Sequence, residues 1–516
     1  MATPQDLIER HTAPAPADGR TVHGLLAEAV AQTPHRPAVR DATGAWTYAQ
    51  LAEQAERLTA WLAARGVGRG DRVLLQLPTG RPLAALFYAT VRRGAVFVPV
   101  HPAMKPFHLR SVVADADPAL VLTDTEGVHR LRPLTDAPVH DIADVLAEAA
   151  AQEPGPDAAA SPDVSGDDLA TLIYTSGSTA APKAVACPHA AVVFASTALV
   201  QALDYRSDDV VFCRFPMSWD YGLYKVLMTC IARCEIVLAD GDSDFTVLRR
   251  MHETGTTVVP LVPSYASMIV SLARRHPDQR PPVRMFTNTG AALPAATADA
   301  LRALFPGARV VRQYGQTEAK RITVMPPEEE HERPHSVGRA LPGTRVLICG
   351  PDGEPLPPGA VGEIVALGPH VMRGYWRNPE ATTRSFRPDP DDPAVTRLHT
   401  GDYGHLDEDG YLYFQGRRDD MFKRKGFRMS TVEIETAALD IPGVRAAAAL
   451  PPDDRHDLTL FVESDLDERT VVRELMERLE TAKMPAQCRV LAEFPLTLHG
   501  KNARRELAAL IDGERP

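Results

Sequence analysis

Short apolar runs alternate with longer stretches of helical periodicity as far as about residue 330, and this confines the chain to layered α/β architecture. DRVLLQLP (71–78) and AVFVPV (95–100) read as short buried strands, with LAALFYATVRRG (83–94) as the helix between them. Strands joined through a helix pair in parallel, so a parallel sheet covered by helices is expected. Residues 22–66 read as a helix, a turn with a short polar strand, and a second helix, because apolar side chains recur there every three or four positions. The segment 149–168 is rich in Ala, Pro, Gly and Asp and reads as a surface connection. From about residue 336 short strands with Gly and Pro turns take over, which predicts a β-rich subdomain. The last hundred residues return to mixed α and β, with VRELMERLETAK (472–483) as an amphipathic helix.

At 516 residues the chain exceeds one ordinary domain. Its 67 acidic and 56 basic residues leave a net charge of −11, which gives no sign of a nucleic-acid or polybasic membrane-surface partner. No run approaches the roughly 18 apolar residues of a membrane helix, and Met1–Arg20 lacks the apolar core of a signal peptide. Six scattered cysteines without a C-x-x-C pair read as buried thiols, and no metal site is assigned to them. A cytoplasmic location, with no nucleic-acid or membrane partner, is the expectation.

The stretch LIYTSGSTAAPKAV (172–185) carries the most chemistry. An apolar strand runs into Thr175, Ser176, Gly177, Ser178 and Thr179 and then reaches Lys183. Small hydroxyl residues and glycine let backbone N–H groups and hydroxyls curl around phosphate oxygens, and a lysine adds a point charge. The same residues also suit an ordinary polar turn. The lysine comes too late for a Walker-type P-loop. Three further segments follow in order: QYGQTEA (313–319), LHTGDYGHLDEDGYLYFQGRRDDMFKRKGFRMSTVEIE (398–435) and PLTLHGKNARREL (495–507). Together the four resemble the adenylate-forming superfamily of acyl-CoA synthetases, peptide-synthetase adenylation domains and luciferases, over residues 22 to 510.

That resemblance implies an α/β fold: a large N-terminal domain (1–418) of layered α/β subdomains plus a β-rich subdomain, and a small mobile C-terminal α+β domain (419–516). It implies ATP and Mg²⁺ as cofactors. Thr175, Ser176, Gly177, Ser178, Thr179 and Lys183 would hold the β- and γ-phosphates, although Ala180 and Ala184 stand where the family often has glycine. Tyr314 would lie against adenine, with Thr317 beside it. Glu318 would bind Mg²⁺, a hard ion that prefers oxygen. Asp402 would accept from both ribose hydroxyls, and Arg417 would touch ribose or phosphate. Asp419 falls at the hinge about which the small domain rotates between half-reactions. Lys501 matches the lysine that swings in to bridge the attacking carboxylate and the α-phosphate. Thr175, Glu318 and Lys501 are thus the catalytic candidates.

FPMSWDYGLYKVL (215–227) bears on the substrate. Amino-acid-activating members place an Asp here for the substrate ammonium, and Asp220 takes that place. A buried carboxylate needs a cation; a role at the start of the following helix is the structural alternative. Beyond Glu318, Lys320 and Arg321 would border the pocket, suited to an anionic group on the substrate, or else would face solvent or an acidic neighbour. Tyr221, Tyr224, Pro260, Thr287, Thr289 and Gln313 complete the candidate lining. The set resembles stand-alone adenylation enzymes for β-amino acids, including aspartate-like ones. No phosphopantetheine-bearing segment follows Lys501, so the expected thiol acceptor is a separate acyl or peptidyl carrier protein with its phosphopantetheine arm, or coenzyme A; positive residues such as Arg424, Lys425 and Arg428 offer local surface to a carrier. The rival readings are a coenzyme A ligase for a non-amino carboxylic acid, an adenylation enzyme for a small neutral α-amino acid, and a binding protein that keeps the fold without activity.

Overall fold

Thr47 accepts from the Gln50 backbone while the Gln50 side chain accepts from the Thr47 backbone, a reciprocal cap that fixes the start of helix Tyr48–Ala64. The short polar strand expected before it is a hairpin, Pro37–Asp41 with Gly44–Thr47, turning through Gly44 at φ 149°. The computed structural model describes residues 20–151, 163–175, 182–239, 241, 243–417, 421–424, 427–453, 456–479, 483–495 and 504–511, with side chains at 421–424, 427–430, 433, 504 and 505 not described. Of the expected connection 149–168, residues 152–162 lie outside these.

Two sheets form the larger part. The first runs Val139–Asp141, Leu120–Thr123, Arg72–Gln76, Val96–Pro99, Leu169–Thr175, all parallel, and closes with antiparallel Lys183–Pro188. The second has a parallel run of Arg309–Gln316, Met285–Asn288, Val258–Leu261, Val210–Cys213, Glu235–Leu238 and Pro37–Asp41, edged by antiparallel Ala319–Val324 and Arg339–Ala340 at one side and Gly44–Thr47 at the other. One core cluster takes Val73 and Phe97 from the first sheet, Val39 and Ile236 from the second, and Leu25, Phe87, Val193 and Leu227 from helices Val22–Gln32, Arg81–Arg92, His189–Ala202 and Asp220–Ala232. Those helices therefore form a middle layer shared by both sheets.

The β-rich subdomain is an antiparallel sheet of Arg345–Cys349, Gly362–Leu367, Thr396–Leu406, Phe386–Pro388 and Leu412–Arg417. The smaller C-terminal domain has strands Val444–Leu450, Thr459–Ser464 and Gln487–Leu491, flanked by helices Thr431–Leu439, Glu468–Met476 and Arg504–Ile511, with Ile434, Leu460 and Leu475 in its own core. Its amphipathic helix starts earlier than the periodicity alone gives, because Asp467 caps it by accepting from Thr470 N at 2.7 Å. The expectation of parallel pairing holds in the sheet interiors. It fails at the two edges that carry the chemical motifs, both of which are antiparallel hairpins.

Candidate active site

The hairpin Arg309–Gln316 and Ala319–Val324 turns at Thr317 and Glu318. Its ladder is irregular between Tyr314 and Gln316, and a Cβ on Gly315 would lie 2.6 Å from the Arg321 Cα, so only glycine permits this approach. Arg321 opposite has φ 52°, a left-handed backbone rare for arginine and a mark of local strain. Ordinary alternation would send one of Lys320 and Arg321 away from the interior. Here both are buried, at 1% and 4% exposure, because all of Ala319–Val324 is buried and the strand is covered on its two faces.

Tyr314 is buried and donates its hydroxyl to Asp402 Oδ2 at 2.7 Å, with the Phe414 ring 5.5 Å away. Burial, reinforced by the Asp402 charge, holds the phenol well above its ordinary range. Asp402 lies opposite Arg417 in the strand ladder, and Arg417 Nε stands 3.3 Å from Asp402 Oδ1 while most of its side chain is exposed. The candidate adenine and ribose residues are thereby joined directly.

Glu318 is buried, and its Oε1 accepts from Tyr375 Oη at 2.7 Å. Its backbone carbonyl accepts from Met372 N, and Tyr375 bridges to Val185 across the chain. Lys183 Nζ sits 5.6 Å from the Tyr375 ring centroid, and Thr175 Oγ1 donates to the Lys183 carbonyl at 3.3 Å. Tyr375 therefore ties the phosphate-loop hairpin to the Glu318 turn. Burial raises the Glu318 carboxyl, with the Tyr375 bond opposing. A cation there would relieve the buried charge. Among the described residues no group of three or more His, Cys, Asp or Glu could hold a metal ion. A single carboxylate fits Mg²⁺, which fills its shell largely with water and phosphate oxygens.

Asp220 is the first residue of helix Asp220–Ala232, whose N-cap Trp219 makes no side-chain cap bond. Trp219 stacks on His101 with centroids 6.1 Å apart. The Asp220 carboxylate instead receives the Lys320 ammonium at 2.6 Å. Burial works against the Asp220 charge, but Lys320 and Arg321 outweigh it and hold the carboxyl below its ordinary range. Burial, with Arg321 adding to it and Asp220 opposing, pushes the Lys320 amine down to about 7. Arg321 Nε donates to Gln313 Oε1 at 2.8 Å, and its guanidinium lies 4.9 Å from the Tyr221 centroid. Tyr221 is fixed by donating to the Thr287 carbonyl at 2.8 Å. Lys320 also faces the Tyr224 ring at 4.9 Å. Thr287 pairs with Pro260 across parallel strands, and buried Thr289 follows the strand end.

The sequence pairs both cations with an anionic group of the substrate. The structure gives Lys320 to Asp220, which leaves Arg321 as the cation whose N–H edge is open. Arg321 Nη2, Gln313 Nε2, Tyr224 Oη and Asn288 Oδ1 are all buried without a hydrogen-bond partner among the described residues. A bound ligand carrying donor and acceptor atoms would satisfy them. Asn288 and Tyr375 escaped the sequence reading; the only signal for the latter is the aromatic pair following Gly374. Ala184 needs no glycine, since it is buried in the regular strand Lys183–Pro188 opposite Tyr174. Ser176, Gly177, Ser178, Thr179, Ala180, Asp419, Lys425 and Lys501, with the side chains of Arg424 and Arg428, lie outside the described residues.

Tyr375 thus joins the hairpin of Leu169–Thr175 and Lys183–Pro188 to the Thr317–Glu318 turn, and Asp220 at the start of its helix meets Lys320 two residues past that turn. Residues 26–376 match the family model described as AMP-binding enzyme, and the chain belongs to that family of ATP-dependent, AMP-forming ligases. It is 32% identical over 97% of its length to the probable non-canonical nonribosomal peptide synthetase CymA of Salinispora arenicola, of which it spans only 6%. With feruloyl-CoA synthase of an Amycolatopsis species it shares 31% identity, covering 92% of this chain and 96% of that protein. The crystal structure of VinN superposes with a TM-score of 0.72 at 53% identity, covering 77% of this chain and 99% of that one, and VinN has been solved in complex with L-aspartate and with 3-methylaspartate. The ATP-bound structure of MatB from Rhodopseudomonas palustris matches 95% of this chain and 98% of its own, with a TM-score of 0.83 at 29% identity. The family uses ATP with Mg²⁺.

Proposed function

We propose that the chain adenylates an amino acid bearing a second carboxylate, of the aspartate or β-amino-acid kind, and passes it to the phosphopantetheine thiol of a separate carrier protein. The observation that carries this reading is the ion pair of half-buried Asp220 with buried Lys320 beside Arg321, whose Nη2 lacks a partner among the described residues. Asp220 would share its carboxylate between Lys320 and the substrate ammonium. Arg321 would offer Nη2 to the side carboxylate, a geometry a guanidinium suits better than a lysine. The aspartate complexes of VinN support the same substrate class.

In the adenylation step a substrate carboxylate oxygen attacks the α-phosphorus of ATP, the bond to the β-phosphate oxygen breaks, and pyrophosphate leaves. Tyr314 would pack against adenine while its hydroxyl keeps Asp402 oriented toward the ribose hydroxyls, with Arg417 at the edge. Thr175 and Lys183, with Ser176 to Thr179, would hold the departing phosphates. Mg²⁺ at Glu318 would neutralise phosphate charge. Lys501 would stabilise charge developing between carboxylate and α-phosphate. Rotation of 419–516 about Asp419 against 1–418 would then admit the carrier thiol.

The test is pyrophosphate exchange with aspartate, 3-methylaspartate, β-alanine, 3-aminobutyrate, alanine and a plain aromatic acid. Exchange strongest with one of the acidic amino acids is expected. Preference for alanine removes the acidic substrate, and preference for the plain acid removes the amino-acid reading altogether.

A further inference from the structure

Lys225 lies one turn into the pocket helix and is 2% exposed. Among the described residues its amine meets no carboxylate: the polar neighbours are the Tyr205 hydroxyl at 3.4 Å and the Met228 sulfur at 3.7 Å. It faces the Tyr221 ring at 5.1 Å and the Tyr205 ring at 5.6 Å. Tyr221 is thus ringed by three basic side chains, since Lys320 stands 5.3 Å and Arg321 4.9 Å from the same ring. One carboxylate of the protein, Asp220, is paired within this group. An apolar residue at this position would avoid the desolvation cost of a buried amine.

We propose that Lys225 is a specificity-determining residue which, from behind Tyr221, makes the pocket demand a second negative charge on the substrate. The inference rests on the acidic-substrate reading above and extends it to a residue outside the pocket wall. Burial, with Arg321 and Lys320 adding to it and Cys213 opposing, holds the Lys225 amine well below its ordinary range. The groups facing it are Tyr205, Tyr221, Cys213, Lys320 and Arg321. A side carboxylate docked on Arg321 offsets the repulsion among the three basic side chains around Tyr221 and favours proton uptake from the buffer at Lys225. A neutral amino acid offers no such compensation.

Calorimetry of aspartate binding in two buffers of different ionisation heat reads the proton directly, and needs no variant. At pH 8 the wild type should take up a measurable fraction of a proton with aspartate and less with alanine or β-alanine. Lys225→Met, close in length and apolar, should lose that difference and raise KM for aspartate about tenfold, with KM for ATP and the melting temperature held. Aspartate binding without uptake in the wild type, or uptake unchanged in Lys225→Met, overturns the role of Lys225 and leaves the acidic-substrate reading standing. Absence of binding by any acidic amino acid overturns both together.

Discussion

Breaking one side of a buried ion pair strands the other charge, and that asymmetry shapes what substitutions at the pocket do. Asp220→Ala leaves Lys320 in the interior, but an amine already pushed down to about 7 by burial can shed its proton. The variant should therefore fold, with a melting temperature close to wild type. Activation of every amino acid should disappear, because no carboxylate remains for the ammonium. Arg321→Ala should be selective: about 100-fold lower kcat/KM for an aspartate-like substrate, roughly 3 kcal/mol, with a neutral β-amino acid spared. An unchanged substrate ranking in Arg321→Ala would assign its buried guanidinium to structure alone. Tyr375 offers a second residue-scale test, because its hydroxyl donates to Glu318 at 2.7 Å. Tyr375→Phe removes a hydrogen bond to a charged acceptor, about 1.5–3 kcal/mol. The Mg²⁺ concentration for half-maximal exchange should rise roughly tenfold while KM for aspartate stays constant.

Helix Asp220–Ala232 begins where the backbone of Phe215 and Pro216 passes underneath it. A Cβ on Gly222 would fall 2.3 Å from both carbonyl oxygens, and neither is the end of a flexible side chain. Gly222→Ala should therefore displace the first helical turn and Asp220 with it, costing about 1–3 kcal/mol of stability. A lowered melting temperature together with a raised amino-acid KM, at constant KM for ATP, is the expected reading. The sequence marks the start of this element through Asp220, yet Gly222 carries no hint of its constraint, since contact with the backbone of Phe215 and Pro216 just upstream leaves no periodic signal. The strand–helix alternation likewise reveals the parallel interiors, such as Arg72–Gln76 beside Val96–Pro99. It is silent about the antiparallel edges, because nothing in Lys183–Pro188 (KAVACP) or Ala319–Val324 (AKRITV) marks the direction in which the strand pairs. The positive φ at Arg321 is a conformation that its residue type argues against.

Two imidazoles within the layered core make the whole molecule sensitive to acid. Burial, with His23 adding to it, pushes His189 down to about 4, and burial alone does the same to His370. His189 Nδ1 accepts from Val22 N at 3.1 Å, and neither nitrogen of His370 has a partner among the described residues. Both are neutral in the fold and protonate near 6.5 once unfolded. The unfolded chain therefore binds the extra protons: stability is full above pH 6.5 and falls as the pH drops from there toward 4. Each group contributes roughly 3 kcal/mol to that loss. His370→Leu should show a smaller drop in melting temperature between pH 7 and 4.5 than the wild type, and equal drops would sink the assignment. At the same scale, Lys501→Ala should slow adenylation at least ~100-fold and spare transfer from preformed aminoacyl-adenylate, read in separate half-reaction assays; equal losses would deny the lysine its step-specific role. The hairpin around Gly315 has a consequence for how such enzymes diversify. Tyr314, Glu318 and Arg321 share one short ladder whose backbone is fixed by a glycine that nothing else can replace. On the proposed reading, new substrate preferences are reachable by exchanging side chains on an unmoved main chain, whereas a grafted loop would shift Tyr314 and Glu318 together. Libraries that vary Lys320, Arg321 and Lys225 around a constant Gly315 should retain turnover of ATP while exploring new acids.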